Sequence, residues 1–292
     1  MTEFTQYLMN GLMVGGVYGL IALSIALIYK STRVFNFAVG DIMLLGAFVL
    51  WSLLAWLSLP IVPSLLLALA IAFGIGLLIE RLALRPLIGQ PILAAIMATL
   101  ALSIFLRGAM ILIWGTSQIA YPTKIFPGTS MTVGTITLSV GLLWAFLLAM
   151  AAFGILVWFF QSTKMGLQMR ATAEDHQLAQ STGISVKLVF GLTWAMASVV
   201  CALSGFALGD RLGLSVGMTP LLALKAFPAV FLGGLESIPG AIIGGLAIGI
   251  LENLVGGLVS PNLMEITPYI ILLLVLLFRA EGLFGLKRIE RI

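Results

Sequence analysis

Long apolar runs separated by short polar connections make up almost the whole chain. A helix needs about 20 predominantly apolar residues to cross the hydrocarbon core of a bilayer. Helices satisfy their own backbone in lipid, whereas open sheets do not. The pattern therefore predicts an all-α polytopic integral membrane protein, with candidate spans at 8–29, 34–57, 61–79, 92–114, 138–160, 188–209, 218–235, 239–258 and 266–280.

Two of these nine spans carry signs of interruption. The apolar helix of 42–57 covers roughly 24 Å at 1.5 Å per residue, which is less than the ~30 Å core. Part of 34–41 is therefore expected to enter the membrane in a less regular form, with Asp41 capping a helix that begins at Ile42. An ordinary loop with a helix cap explains the pattern equally well. Near 225–240, Pro228 and Pro239 interrupt helical structure, so the sequence predicts about eight to ten transmembrane helices with broken or re-entrant segments.

Composition excludes a soluble protein. The chain is 61% hydrophobic and 9% charged, whereas a soluble domain carries about 25% charged residues. Its net charge of +4 does not indicate a nucleic-acid partner, because the basic residues lie at the ends of apolar segments. Eleven of the fifteen fall in connections assigned to the cytoplasm, which predicts an N-terminus outside and a C-terminus inside; they are Lys30, Arg33, Arg81, Arg85, Lys164, Arg170, Lys187, Arg279, Lys287, Arg288 and Arg291.

Small residues recur at four-residue spacing in several spans. Gly11, Gly15 and Gly19 share a helix face, as do the pairs Gly240 with Gly244 and Gly245 with Gly249. Such faces let helix backbones approach closely, and packing within the chain is favoured over a subunit interface. The Gly- and Pro-rich connection at 115–137 is predicted to lie outside the cell and to hold a short strand pair.

Polar residues at membrane depth are functional candidates, because they are costly to bury there. Thr99, Ser103 and Arg107 share one helix face. They either line a polar pathway, or Arg107 extends towards water while the hydroxyls bond their own backbone. A carboxyl near the middle of 239–258 either holds helices together or contacts a substrate. The predicted pathway residues are Asn36, Asp41, Thr99, Ser103 and Glu252.

The most polar connection is 161–187. Its apolar positions Leu167, Ala171, Leu178 and Thr182 fall on one helical face, and Arg170 precedes Glu174 by four residues. Gly183 suits the end of this helix, and Ser185 suits the N-cap of the next. The sequence predicts a short cytoplasmic helix fixed directly to a span. It is either a docking surface or a solvated connection, and His176 is expected to be solvated.

No catalytic or zinc-binding pattern occurs in the sequence, which favours a transport protein over an enzyme. Five blocks in chain order resemble permease subunits of the high-affinity branched-chain amino-acid ABC transporter family. The blocks lie at 15–48, 81–108, 169–185, 225–254 and 276–285, and they include NFAVGD, MRATAEDHQLAQSTGIS and ESIPGA.

The resemblance implies a single permease domain over 1–292 in the bacterial inner membrane, with 161–187 as the coupling-helix loop that faces an ATPase. It also implies four kinds of partner besides the lipid bilayer: a second, related permease, two cytosolic ATPases that hold ATP-Mg, and an external solute-binding protein. This chain itself is expected to bind no cofactor and no metal. The coupling residues that match the family's block, together with the neighbouring arginine, are Arg170, Ala173, Glu174, Asp175, Gly183 and Ile184.

One block departs from the family's pattern. Val39 stands where the family has a histidine, and Asp41 stands where it has a glutamate. The substrate therefore stays open among branched-chain amino acids, urea, amides and aromatic acids. The alternative function is that of a secondary transporter driven by an ion gradient, for which Glu252 is the one fair candidate carboxyl.

Overall fold

The computed structural model describes residues 2–126, 130–133, 136–217, 223–279 and 281–285. Within these ranges the fold is built from eleven α-helices and one β-hairpin. A short π-helical turn at Glu80–Leu84 and a 3-10 turn at Arg85–Leu87 follow the third helix. The elements are α1 Thr2–Thr32, α2 Val39–Ala55, α3 Ile61–Ile79, α4 Ile92–Trp114, β1 Ser130–Val133, β2 Ile136–Ser139, α5 Val140–Ser162, α6 Lys164–Glu174, α7 His176–Ser181, α8 Val186–Leu212, α9 Ala226–Gly233, α10 Ile238–Leu258 and α11 Pro261–Phe278.

The predicted class of an all-α, multi-pass membrane protein is confirmed. Seven helices of the described chain are long and apolar enough to cross a membrane: α1, α3, α4, α5, α8, α10 and α11. The other two predicted spans are not among these seven. The span at 34–57 is helical only as α2, and the described part of the span at 218–235 holds α9, whose eight residues cover roughly 12 Å. Residues 218–222 lie outside the described residues.

The connections gather on two opposite sides of the helix bundle. On one side, β1 pairs antiparallel with β2, as predicted for 115–137, and the Gln6 side chain bonds the backbone of Thr137. Ile119 pairs with Leu214 on the same side. On the other side, α6 and α7 join the far ends of α5 and α8. We call these the hairpin side and the α6–α7 side.

Close backbone packing places α1 at the centre of the bundle, against α5, α8 and α10. A Cβ added at Gly245 would lie 2.4 Å from Gly19 Cα, and one at Gly249 would lie 2.3 Å from Gly15 Cα. Real Cβ atoms do not approach backbone so closely, so the two glycine faces fit each other only because both lack side chains. The expectation that these faces pack within the chain is confirmed.

The interruption predicted near 225–240 is a tight helical hairpin. A Cβ at Gly233 would lie 1.9 Å from Gly240 O, and one at Gly244 would lie 2.0 Å from Ala229 O. The short helix α9 therefore runs back along the first half of α10. Ser237 Oγ caps α10 by accepting a hydrogen bond from Gly240 N at 3.0 Å.

Candidate functional site

Asp41 lies in the first turn of α2 and joins it to α4. The helix begins at Val39 with Ala38 at the N-cap, so the prediction that Asp41 caps a helix starting at Ile42 is wrong. Its carboxylate instead accepts a hydrogen bond from Ser103 Oγ, and Arg107 Nε lies 3.2 Å from Asp41 Oδ1. Only 2% of the Asp41 side chain is exposed. A buried carboxylate needs a cation or donors, and α4 supplies both.

The same face of α4 holds the irregular segment that precedes α2. Thr99 Oγ1 lies 3.2 Å from Phe35 O, and it accepts a hydrogen bond from Phe37 N at 3.4 Å. It also lies 2.9 Å from Ile96 O of its own helix. Thr99 is roughly 10 Å along α4 from Ile92, so the backbone of 35–37 does enter the bundle in a non-helical form. The alternative for this face is borne out in part, because the Thr99 hydroxyl bonds its own helix, whereas Ser103 and Arg107 bond Asp41.

Asn36 completes this turn. It is buried, and its Oδ1 accepts a hydrogen bond from Ala38 N at 3.0 Å. Its Nδ2 has no hydrogen-bond partner among the described residues. The neighbouring Val39, which is 1% exposed, packs into the apolar core. Four predicted pathway residues thus come together: Asn36, Asp41, Thr99 and Ser103.

Glu252 belongs to a second, separate polar pair. Its Oε1 accepts a hydrogen bond from Lys225 Nζ at 2.7 Å, with 0% of the Glu252 side chain and 13% of the Lys225 side chain exposed. Lys225 directly precedes α9, and Tyr18 of α1 lies near enough to interact with the same carboxylate. The pair therefore joins the start of the short helix α9 to α10 and α1.

Arg33 connects three segments on the α6–α7 side. Its guanidinium pairs with Glu236 in the turn between α9 and α10, and its Nη2 lies 3.5 Å from Ala173 O of α6. Arg33 takes a positive φ of 57°, which turns the chain out of α1. Each of the three segments is attached to a different helix, so this one side chain links their positions.

Two aromatic stacks lie beside Arg33. Phe35 stacks on Phe231 with ring centroids 6.0 Å apart, and Phe37 stacks on Phe227 at 5.7 Å. Both stacks join the irregular segment after α1 to α9. Together with Arg33–Glu236, they close the space between the two interrupted segments of the chain on this side.

The connection 161–187 forms two helices rather than one. Asp175 breaks it, ending α6 and capping α7: its Oδ1 accepts hydrogen bonds from Gln177 N at 2.8 Å and Leu178 N at 2.9 Å. The single helical face predicted through Leu167 and Leu178 is therefore wrong, although both side chains are exposed, at 59% and 66%. The confirmed feature is Gly183, which ends α7 with φ +87°.

The predicted coupling residues differ in how far they are exposed to solvent. Glu174, Asp175 and Gly183 are exposed, and Arg170 and Ile184 are half-buried. The side chain of Ala173 is buried, and its carbonyl oxygen lies 3.5 Å from Arg33 Nη2. Ser185 occupies the N-cap position of α8 as predicted, but its side chain makes no capping hydrogen bond.

The cap at Asp175 makes α7 sensitive to acid. The backbone hydrogen bonds from Leu178 and Gln177 hold the pKa of the Asp175 carboxyl below its ordinary value of 3.8. Because the folded pKa is lowered, the cap is fully present above that ordinary value and is lost as pH falls through the lowered pKa. We expect Asp175→Ala to speed amide hydrogen exchange at Gln177 and Leu178 severalfold at neutral pH. Asp175→Asn retains an acceptor oxygen and should not; equal exchange in the two variants would contradict the cap.

His176 is less solvated than the sequence suggested. Its ring packs edge-on against Phe190 of α8 with centroids 5.4 Å apart, and its Nδ1 is buried without a hydrogen-bond partner among the described residues. The side chain is half-buried, so the expectation of a freely solvated histidine is wrong.

The long-range ion pairs of the described residues were not predicted from the sequence. Lys225 and Glu236 were noted together, yet each pairs elsewhere, with Glu252 and Arg33. A usable signal was present, because a carboxyl at membrane depth needs a cation. The predicted spans contain three basic residues: Arg107, Lys225 and, at the end of the last span, Arg279.

Comparison with known proteins supplies the family. The family model described as branched-chain amino acid transport system, permease component, matches residues 7–276. The chain is 32% identical over 304 residues to the high-affinity branched-chain amino acid transport system permease protein BraD of Pseudomonas aeruginosa, covering 99% of this chain and 98% of that protein. It is 33% identical over 306 residues to the permease protein LivH of Escherichia coli strain K12, again covering 99% and 98%.

A more distant relative matches as well. The probable branched-chain amino acid transport permease protein LivH of Methanocaldococcus jannaschii is 31% identical over 247 residues, covering 81% of this chain and 76% of that protein. Both the family match and the full-length relatives include the two interrupted segments and the α6–α7 connection. The chain therefore belongs to the family of branched-chain amino acid transport system permease components.

Proposed function

We propose that this chain is a membrane-spanning permease subunit of an ATP-driven importer of branched-chain amino acids. It works in the bacterial inner membrane with a second, related permease, two cytosolic ATPases and an external solute-binding protein. The near full-length similarity to two branched-chain amino acid permeases carries the proposal. It also favours this function over a secondary transporter driven by an ion gradient.

The distribution of basic residues supports the proposed orientation. Arg33 meets α6 and the α9–α10 turn, and Arg85 pairs with Glu80 at the end of α3 that precedes the connection to α4. Lys164 begins α6, and Lys187 lies in the first turn of α8. Basic residues favour the cytoplasm. On this ground we propose that the α6–α7 side faces the cytoplasm, with the N-terminus outside and the C-terminus inside.

The α6–α7 connection suits the role of a lever. Thr163 alone joins α5 to α6, with its Oγ1 donating to Phe159 O at 2.7 Å and accepting from Gly166 N at 2.9 Å. At the other end, Ile184 N bonds Ala179 O at 3.1 Å, which fixes the turn into α8. Since both ends are short and hydrogen-bonded, a displacement of α6 or α7 moves α5 and α8 with it.

Arg33 gives the lever a second connection. Through Ala173 O it joins α6 to the Arg33–Glu236 pair and to the aromatic stacks that close the space between the interrupted segments. When ATP-driven closure of the ATPases moves α6, this contact is positioned to transmit the motion to α9. The permease then switches access between the two sides of the membrane without chemistry of its own.

The proposal is tested with the complete transporter in proteoliposomes, supplied with ATP inside and the binding protein outside. Uptake of leucine, isoleucine or valine should require ATP and survive a proton uncoupler. Uptake that persists after ATP depletion and collapses with the uncoupler would overturn it. Parallel assays with urea, short amides and an aromatic amino acid decide the substrate.

The exposed acidic residue at the end of α6 provides a sharper test. We expect Glu174→Lys to reduce ATPase co-purification several-fold, because the side chain is exposed and reversing an interface charge opposes association, while the cap that Asp175 gives α7 is kept. The matched control is Glu3→Lys, which makes the same charge change at an exposed position near the hairpin side. Unchanged co-purification in the first variant, or an equal loss in the control, would remove the docking role.

A further inference from the structure

A cavity of about 150 Å³ lies where α7 meets the membrane helices. It is bounded by α7, the start of α8, the end of α1 and the connection between α3 and α4. An engineered apolar cavity of about this size binds benzene. The space is therefore large enough for the four-carbon side chain of leucine or isoleucine.

The cavity has an apolar floor and a polar rim. Among its lining residues, Leu84, Val186 and Trp194 are buried, with 7%, 3% and 1% of their surface exposed. Gln90 and Gln180 line it as well, and both are exposed. Such a site fits a molecule with a small apolar body and a polar end that stays near water.

One buried polar atom at the cavity lacks a partner. His176 lines the space, and its Nδ1 is buried without a hydrogen bond among the described residues. Buried polar atoms are satisfied in the great majority of cases, so an unpaired one beside a cavity indicates a ligand or a water. Arg33 lines the same space, and its guanidinium also contacts Glu236 and Ala173 O.

These observations fit the two charged groups of an amino acid. An ammonium group donates to a neutral imidazole nitrogen, and a carboxylate accepts from the side-chain amides of Gln90 and Gln180 and from Arg33. An aliphatic side chain fits the apolar floor beside Trp194. The position under α7 means that the occupant contacts the lever and α8 at once.

We propose that this cavity is a regulatory site for a free aliphatic α-amino acid, separate from the transport path. This inference rests on the proposed function, since the ligand is the transported product on the cytoplasmic side. When bound, it fixes α7 against α8 and the α3–α4 connection and so slows the movement of the lever. Accumulated product thereby restrains its own import.

The test uses proteoliposomes that hold the complete transporter with its cytoplasmic side facing the lumen. Uptake of labelled leucine is measured at its initial rate after loading the lumen with unlabelled leucine, with lumenal glutamate as the control solute. We expect lumenal leucine at millimolar concentration to lower ATP-driven uptake several-fold, while glutamate has no effect. A direct measurement follows Trp194 fluorescence during leucine titration of the purified transporter, with Trp194→Phe as the blank.

Two variants on α4 separate the cavity from general effects. Ala95 is buried and lines the cavity, so Ala95→Phe should fill it and abolish the inhibition. Leu93→Phe places the same ring at an exposed position two residues away and should leave the inhibition intact. If Ala95→Phe does not fold, His176→Ala must weaken the inhibition relative to its own uninhibited rate.

The outcomes distinguish this inference from the proposed function. Uptake that proceeds normally but is insensitive to lumenal leucine, with no Trp194 response, overturns the inference and leaves the function intact. A Trp194 response to lipid or detergent but not to leucine also overturns it, in favour of an acyl chain as the occupant. Absence of branched-chain amino acid uptake under any condition overturns the proposed function itself.

Discussion

Replacing Glu252 by alanine is expected to destabilise the protein by about 3–5 kcal/mol, the usual cost of leaving one partner of a buried ion pair uncompensated. Lys225 Nζ lies 2.7 Å from Glu252 Oε1, and the Lys225 side chain is 13% exposed. Without the carboxylate, the largely buried ammonium loses the acidic partner that it has among the described residues. The start of α9 would then be pushed away from α10.

A double variant distinguishes loss of charge balance from loss of volume. In Lys225→Met, Glu252→Leu both charges disappear and apolar side chains fill the space, so most of the stability should return. Thermal unfolding of the purified chain in one detergent measures all three proteins. If Glu252→Ala unfolds like the unmodified chain, or if the double variant is no better than Glu252→Ala, the pair is not what fixes α9 to α10.

The same variants bear on transport. Glu252 was predicted either to hold helices together or to contact a substrate. Its hydrogen bond with Lys225 favours the role of holding helices together. Uptake that recovers with stability in the double variant assigns the pair to packing. If stability returns in the double variant but uptake does not, the pair belongs to the translocation path.

Local features of this fold could be predicted from the sequence because their causes lie within a few residues. Seven apolar runs of sufficient length became helices that can cross a membrane. Gly183 ended α7 because its φ of +87° is unfavourable for other residues. The hairpin around Gly233 and Gly240 followed from prolines and glycines that interrupt a helix.

The arrangement of polar groups could not be predicted in the same way, because it depends on which helices are neighbours. Asp41 was expected to cap its own helix, yet its partners lie 62 and 66 residues later, on α4. Spacing within one helix gives no information about that pairing. The break at Asp175 was missed for a different reason. The Asp175 side chain caps the next helix, α7, and this interaction competes successfully with continuation of α6.

The glycine contact between α1 and α10 is the basis of the second large effect. A Cβ at Gly249 would lie 2.3 Å from Gly15 Cα, and backbone atoms cannot give way as a flexible side chain can. We expect Gly249→Ala to destabilise the protein by roughly 1–3 kcal/mol, the range for inserting a group into a packed interior. Gly245→Ala together with Gly249→Ala should prevent the two helices from packing at all.

The control is a glycine-to-alanine change that is not expected to destabilise the protein. Gly154 lies within α5 and has open space where a Cβ would be, so Gly154→Ala meets no atom within 4 Å. Alanine is favoured over glycine in a helix by about 1 kcal/mol in water, so this variant should be neutral or slightly more stable. Thermal unfolding and gel filtration of the two single variants decide the question. Equal behaviour of Gly249→Ala and Gly154→Ala would mean that α1 and α10 do not pack backbone to backbone, and α1 would then lose the contact that holds it at the centre of the bundle.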